Sequence, residues 1–303
     1  AEAAEVGWTQ HGLLAACPSA SMVRADHGTE HTLVIPDHSG ERAVIRTDHL
    51  SDQFVDAAFE VMSSAAGLTA HASSFDRRHV IQHLVDHLPP GPPADWFEAT
   101  ADRYLDRAEV VALGSDPVKG ECYSTVDLLE LEQRLIDQVA TRRLGDRSSE
   151  VMPSIVWSVF EERPSLSGEQ RDLISGVCRT TDAVSVVVAG PGTGKTFCLD
   201  SIRDTFQRSG YTTTGCALSA SAAHQLEQGS GIESMTIARL RLQLDHGERR
   251  LGPRSVLVID EAGMAGTRAL APLLDEAADA GAKVILVGDP KQLPEIDAGG
   301  FLG

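Results

Sequence analysis

The segment Val184–Thr196, VSVVVAGPGTGKT, constrains this chain more than any other. Val184–Ala189 is a short valine-rich run, the composition of a strand covered on both faces of a parallel sheet. A glycine-rich turn follows, made of Gly190, Pro191, Gly192, Thr193 and Gly194. Glycine permits the backbone angles and close approach that let successive N–H groups face inward around an anion. The helix expected after Gly194 adds its positive N-terminal end. Lys195 then places a point charge near the β- and γ-phosphates of a nucleotide, and Thr196 offers a hydroxyl to its magnesium ion. The pattern G-x-x-x-x-G-K-[ST] is met everywhere except its first position, which is the small residue Ala189.

A second segment, Val256–Met264, reads VLVIDEAGM: a buried-strand run that ends in two adjacent acids. Asp260 is placed to hold the magnesium, through water, and Glu261 to take a proton from an attacking water. Neighbouring side chains at a strand end point in different directions, so the two can divide these roles. A helix cap followed by a first-turn acid would account for one of them. It would not account for their pairing with a phosphate loop. The pairing points to hydrolysis of a nucleoside triphosphate with Mg2+ rather than to binding alone. A third apolar run, Val284–Pro294, VILVGDPKQLP, breaks at a Gly-Asp-Pro turn. Gln292 there both donates and accepts hydrogen bonds, which suits a sensor of the γ-phosphate or of the attacking water; a solvated loop glutamine is the plainer alternative.

At these residues the chain resembles a superfamily-one DNA helicase of the RecD-like branch. PGTGKT is similar to helicase motif I, DEAG to motif II and GDPKQLP to motif III. Leu166–Gln170, LSGEQ, resembles the segment before motif I whose glutamine reads adenine, which assigns Gln170 to the base. Ser167 and Gln170 also fit a capping box at a helix start, and both readings stand. Gly215–Ala223, GCALSASAA, sits where motif Ia belongs, without the Pro-Thr-Gly-Lys run common there. Ser234–Leu240, SMTIARL, resembles a short family segment before motif II.

Within that branch the chain is most similar to the helicase part of MobF-type (TrwC/TraI-like) conjugative relaxases, through Gly263–Leu274, Ile296–Phe301, Leu68–Val80 and Glu121–Glu132. The resemblance implies a RecA-like P-loop NTPase domain: α/β, with a mainly parallel sheet, preceded by a mostly helical N-terminal region. It implies ATP and Mg2+ as cofactors and single-stranded DNA as a partner, with 5′ to 3′ polarity. It also implies a second RecA-like domain carrying the later motifs, and a nicking domain, in the same polypeptide. The chain reads as the middle of such a protein, between those two domains. Alone it is expected to bind nucleotide weakly and to hydrolyse it very slowly. A RecD-like repair helicase, and an ATP-gated interaction module without unwinding activity, are the alternatives.

Charge bears on the partner. Lys and Arg number 26 against 44 Asp and Glu, a net charge of −18, whereas a dedicated nucleic-acid binder is usually basic. The imbalance argues against strong DNA affinity in this segment by itself, and a local basic strip would suffice for a few phosphate contacts. Five cysteines, Cys17, Cys122, Cys178, Cys198 and Cys216, stand far apart with no C-x-x-C. That spacing fits neither a zinc ribbon nor a disulfide framework and suits a reducing cytoplasm. No apolar run approaches the length of a membrane span.

Three regions are expected: a small mixed α/β region over 1–66, a mostly helical domain over 67–150, and the motor domain over 151–303. His31–Arg46 reads as two strands joined by a Ser-Gly turn. Asp52–Ser64, Ser74–Leu88, Trp96–Ala112 (with a strand-like end) and Thr125–Arg143 read as helices. Strands are expected at Val184–Ala189, Thr213–Ala217, Val256–Asp260 and Val284–Gly288. His79, His83 and His87 recur every four residues and could stack on one face around a metal, though a polar helix face is the reading preferred. Trp8, Trp96 and Trp157 are expected to anchor cores rather than to stack on bases.

Overall fold

The computed structural model describes residues 21–24, 31–36, 42–46, 52–88, 92–116, 120–144, 151–190 and 193–288. They fall in two compact units, residues 1–129 and 130–303.

The first unit opens with three antiparallel strands, β1 (Ser21–Arg24), β2 (His31–Pro36) and β3 (Arg42–Arg46), in sequential order. The two strands expected within His31–Arg46 are present and pair Val34 with Val44; β1 is an addition. Helices α1 (Asp52–Ser63), α2 (Arg77–His87) and α3 (Ala94–Leu105) follow. A hairpin of β4 (Val110–Asp116) and β5 (Gly120–Thr125) comes next. The helices close over Val55, Phe59, Met62, Phe75, Val80, Leu84 and Tyr104, all buried. Helix α2 is started by Asp76, whose carboxylate accepts from the backbone N–H groups of Arg78 and His79. Burial works to raise the Asp76 pKa, but the hydrogen bonds from Arg78 and His79 outweigh it and hold the carboxyl at about 2.

The helical spacing of the three histidines is real, but they are not one polar face. His79 belongs to the cap of α2, while His83 and His87 stack with centroids 4.0 Å apart beside Phe54, Ala58 and Val61 of α1. Apolar burial thus claims His83. Among the described residues no three metal-ligating side chains converge.

Helix α4 (Val126–Thr141) spans the division between the units. The second unit is an α/β domain on a wholly parallel five-stranded sheet. Its strands are β6 (Val184–Val188), β7 (Thr212–Ala217), β8 (Ser234–Thr236), β9 (Ser255–Ile259) and β10 (Lys283–Gly288), in the spatial order β6-β10-β9-β7-β8. The helices are α5 (Pro153–Glu162), α6 (Gly168–Arg179), α7 (Lys195–Arg208), α8 (Ala220–Ser230), α9 (Ile237–Asp245) and α10 (Thr267–Asp279).

The period of two sorts the strand residues between two cores. Val256, Val258, Ile285 and Val287 face one layer with Phe160, Ile174, Leu199, Ile202 and Phe206 from α5, α6 and α7. Leu257, Ile259, Val284 and Leu286 face the other with Leu240, Leu270, Leu273 and Leu274 from α9 and α10. Leu135 of α4 joins this second layer, where Arg134 also pairs with Asp275 of α10 at 2.6 Å. Strand β10 is buried throughout, as its interior place between β6 and β9 allows. Lys283, at its start, is buried too; Nζ donates to the Asp182 carbonyl and Ser185 Oγ, and burial pushes its pKa down to about 8.

Two expectations about burial need correction. Val184–Val188 is a strand, but it runs at the sheet edge, and Val186 and Val188 are exposed rather than covered on both faces. Trp157 does not anchor a core: on α5 it turns outward with 62% of its surface accessible, while Val156 and Phe160 take the inward positions. Trp96 does pack on the helical core of the first unit, and Trp8 lies outside the described residues. No described helix is long and apolar enough to cross a membrane.

Candidate nucleotide site

Strands β6 and β9 end at the same edge of the sheet with only β10 between them. In open parallel sheets ligands bind beyond the carboxyl ends of the strands, where helix N-termini also gather. The two motifs found in sequence therefore meet in space.

After β6 the Ala189 N–H bonds the Gly288 carbonyl of β10 at 3.1 Å, and the chain then leaves the sheet. The Gly190 carbonyl accepts from Thr193 twice, from its N–H at 3.4 Å and from Oγ1 at 2.8 Å, which closes the turn. Gly194 starts α7 with φ +79°, a left-handed angle that L side chains rarely adopt, and any Cβ there would strike Gln170 Nε2. The backbone angle alone favours glycine at this position; the glutamine amide would have to shift for any side chain. Lys195 and Thr196 are the first two residues of α7.

Gln170 is fastened at both ends of its amide. Oε1 accepts from the Ser167 N–H at 3.0 Å, completing the capping box, and Nε2 donates to the Thr193 carbonyl at 3.1 Å. The capping box is thus present, and through Nε2 the same residue ties the start of α6 to the glycine-rich turn. Nothing in the spacing of Ser167 and Gln170 told of that second bond.

On the opposite motif, β9 continues one residue beyond its last strand position: the Asp260 N–H bonds the Cys216 carbonyl of β7 at 2.9 Å. Asp260 is buried, and its Oδ1 accepts from Lys195 Nζ at 2.9 Å and from the Glu261 N–H at 2.9 Å. Glu261 has φ +54° and is the sole described non-glycine residue with a positive φ. Such an angle costs a non-glycine residue roughly 1–2 kcal/mol. It is held by what surrounds it: the Glu261 carbonyl accepts from the Met264 N–H, and the Ala262 N–H donates to the Val287 carbonyl of β10. The backbone bend separates the direction of Glu261 from that of Asp260.

Thr196 is largely exposed at the mouth of the turn, and its methyl sits against Gly229 of α8. Sequence reading took no notice of Gly229; its one local cue is the pair of glycines in Gly-Ser-Gly at a helix end, which reads as a cap. The structure therefore brings together Gln170, Gly190, Thr193, Gly194, Lys195, Thr196, Asp260 and Glu261. Pro191, Gly192 and Gln292 lie outside the described residues.

The donor set fits a magnesium–nucleotide. A glycine turn, a helix N-terminus and an ammonium group favour phosphate, and a hydroxyl with a carboxylate favours a hard divalent cation.

Comparison with known proteins agrees with this chemistry. Residues 165–303 match the family described as AAA domain. The chain is similar to the probable conjugal transfer protein TraA of Sinorhizobium fredii, with 35% identity over 244 residues, 77% of this chain and 21% of that protein. To the conjugal transfer protein TraA of Rhizobium radiobacter it is 36% identical over 239 residues, again 77% and 21% of the two chains. To the ATP-dependent RecD2 DNA helicase of Deinococcus radiodurans it is 32% identical over 203 residues, 65% of this chain and 27% of that one. The chain thus spans about a fifth to a quarter of the length of these relatives. Residues 165–303 thus match the AAA domain family, in a chain similar along most of its length to conjugal transfer TraA proteins and to a RecD2 DNA helicase.

Proposed function

We propose that this chain contains the first motor domain of an ATP-dependent DNA helicase, coupling ATP hydrolysis to movement along single-stranded DNA during conjugative plasmid transfer. The observation that carries the proposal is the ion pair between Lys195 and Asp260, which joins the glycine-rich turn and the acid pair into one site. In this reading Gly190–Thr196 cradle the phosphates, and Gln170 holds the turn and meets the adenine. Lys195 stabilises charge on the β- and γ-phosphates. Thr196 and Asp260 hold the magnesium, which when bound neutralises phosphate charge. Glu261 accepts the proton of the attacking water, and Gln292 links phosphate state to DNA grip. Residues 151–303 make up the motor domain, 67–150 the helical domain before it, and 1–66 a small mixed region. A second RecA-like domain and a nicking domain complete the polypeptide, which works in the cytoplasm.

The experiment is ATP turnover by the full-length protein with and without single-stranded DNA, beside its Lys195→Ala variant. DNA-stimulated turnover that the variant loses supports the motor. Turnover indifferent to DNA favours an ATP-gated interaction module instead.

A second reading, a RecD-like repair helicase, draws on the similarity to the Deinococcus radiodurans RecD2 helicase. Site-specific nicking of a supercoiled plasmid by the full-length protein separates the two: a relaxase nicks its cognate origin, and a repair helicase does not.

A further inference from the structure

Helix α8 approaches the first turn of α7 where Gly229 faces Thr196. A Cβ on Gly229 would overlap the Thr196 methyl, Cγ2, and would lie 3.5 Å from Oγ1. The methyl therefore occupies the space that a side chain at 229 would need. Threonine is stiff about χ1, with two wells on a helix, and its methyl and hydroxyl share one carbon. Wherever the methyl is seated, the direction of the hydroxyl is decided with it.

Helix α8 is not free to retreat. Arg203 of α7 donates from Nε to the Ser230 carbonyl at 2.8 Å, while Arg203 itself is paired with Asp200. Gly231 ends α8 at φ +67°, its N–H bonding the Glu227 carbonyl at 2.8 Å. On its other side, Leu226 of α8 packs where a Cβ on Gly215 of β7 would stand, at 2.9 Å. The helix is thus pinned to α7 and pressed on the sheet, with Gly229 as the gap into which the methyl fits.

From this contact we infer that Gly229 is a positioning residue for the magnesium site: its missing side chain seats the Thr196 methyl and so aims the Thr196 hydroxyl. The inference rests on the proposed role of Thr196. Adding a methyl at 229 leaves two ways out, rotation about χ1 of Thr196, which swings the hydroxyl away, or displacement of α8 against its Arg203 clamp. Removing the Thr196 methyl opens a third way, because serine has nothing there to collide.

The test is calorimetric titration of the full-length protein with ATP, once with magnesium and once with chelator. Four forms are compared: wild type, Gly229→Ala, Thr196→Ser and the double variant, with thermal unfolding of each. Gly229→Ala is expected to lower magnesium-dependent ATP affinity about tenfold, the scale seen when a partner that orients a metal ligand is lost. Affinity without magnesium stays within about twofold of wild type, since that loss belongs to the cation alone. In the Thr196→Ser background the same glycine change costs little further affinity. Equal losses in both backgrounds, or an equal loss without magnesium, overturn the inference and leave the site reading intact. A wild type whose ATP affinity ignores magnesium overturns the site reading and this inference with it. Should Gly229→Ala fail to fold, Thr196→Ser alone decides: freed from its seat, the hydroxyl should hold magnesium-ATP more weakly than in wild type, and an unchanged affinity overturns the inference.

Discussion

Lys195 Nζ and Asp260 Oδ1 stand 2.9 Å apart, an ion pair closed between the first residue of α7 and the residue that follows β9. Asp260 is nearly buried, with 9% of its side chain accessible, and Lys195 retains 30%. A buried carboxylate needs its partner, so the lysine neutralises Asp260 when no phosphate is present. In the proposed site, Lys195 would also serve the phosphates and Asp260 the cation, so each side chain would have two claims on it.

Asp260→Asn is therefore expected to act in opposite directions on two ligands. With Lys195 released from its partner, ATP without magnesium should bind more tightly, by about tenfold if roughly 1.4 kcal/mol of pairing is relieved. Magnesium-ATP should bind more weakly, because an amide is a poorer cation ligand than a carboxylate. Titration calorimetry in chelator and in magnesium reads both, and parallel shifts in the two would contradict the site.

In the proposed site Glu261 would set stability against turnover. Glycine adopts φ +54° without strain, so Glu261→Gly relieves roughly 1–2 kcal/mol, less about 0.5–1 kcal/mol for the looser unfolded chain. The melting temperature should hold or rise slightly. Hydrolysis by the full-length protein should fall by about a hundredfold or more through loss of the proton acceptor. A clear drop in melting temperature, or turnover near wild type, would count against the role given to this residue.

Arg142 closes the C-terminal end of α10. Its Nη2 donates to the Ala277 carbonyl in the last turn of the helix at 2.7 Å and to the Ala282 carbonyl, just before β10, at 2.6 Å. Burial lowers the guanidinium pKa, and Nη1 is buried with no partner among the described residues, so the arrangement is costly and is maintained by those carbonyl bonds. Arg142→Met is expected to destabilise the second unit by about 2 kcal/mol, measured as a shift in urea midpoint with unchanged slope.

His83 makes the first unit acid-sensitive. Burial, followed by repulsion from His87, pushes its pKa down from 6.5 to about 4 against the attraction of Asp86. Phe54, Ala58 and Val61 of α1 bring no charge to this site. Between pH 6.5 and 4 the unfolded chain binds a proton that the folded chain refuses. The stabilising contribution of neutral His83 is thus complete above pH 6.5 and is lost as pH falls toward 4, by on the order of 2–3 kcal/mol. His83→Leu should flatten the stability profile of the helical core across that window. Denaturant melts of both proteins at several pH values test this, and parallel slopes would exclude His83 as the source.

The sequence by itself determined each local unit of the motor domain. The valine run at Val184, the turn ending in Gly194 and the acids after Ile259 are contiguous signals, each written within a dozen residues. The capping box of Ser167 is another, and the paired strands within His31–Arg46 span only slightly more chain. Local periodicity carries them because backbone geometry and short hydrogen bonds depend on near neighbours. Strand order has no such local trace. Only the tertiary structure put β10 between β6 and β9, and so decided that Lys195 reaches Asp260. It put β6 at an edge, leaving Val186 and Val188 exposed where composition had promised burial. It turned Trp157 outward, because the inward positions of α5 were already filled by Val156 and Phe160. And it set Gly229 against Thr196, a contact between two helices that no motif contains. Periodicity says which face of an element is apolar; which neighbour covers that face is settled by packing of the whole domain.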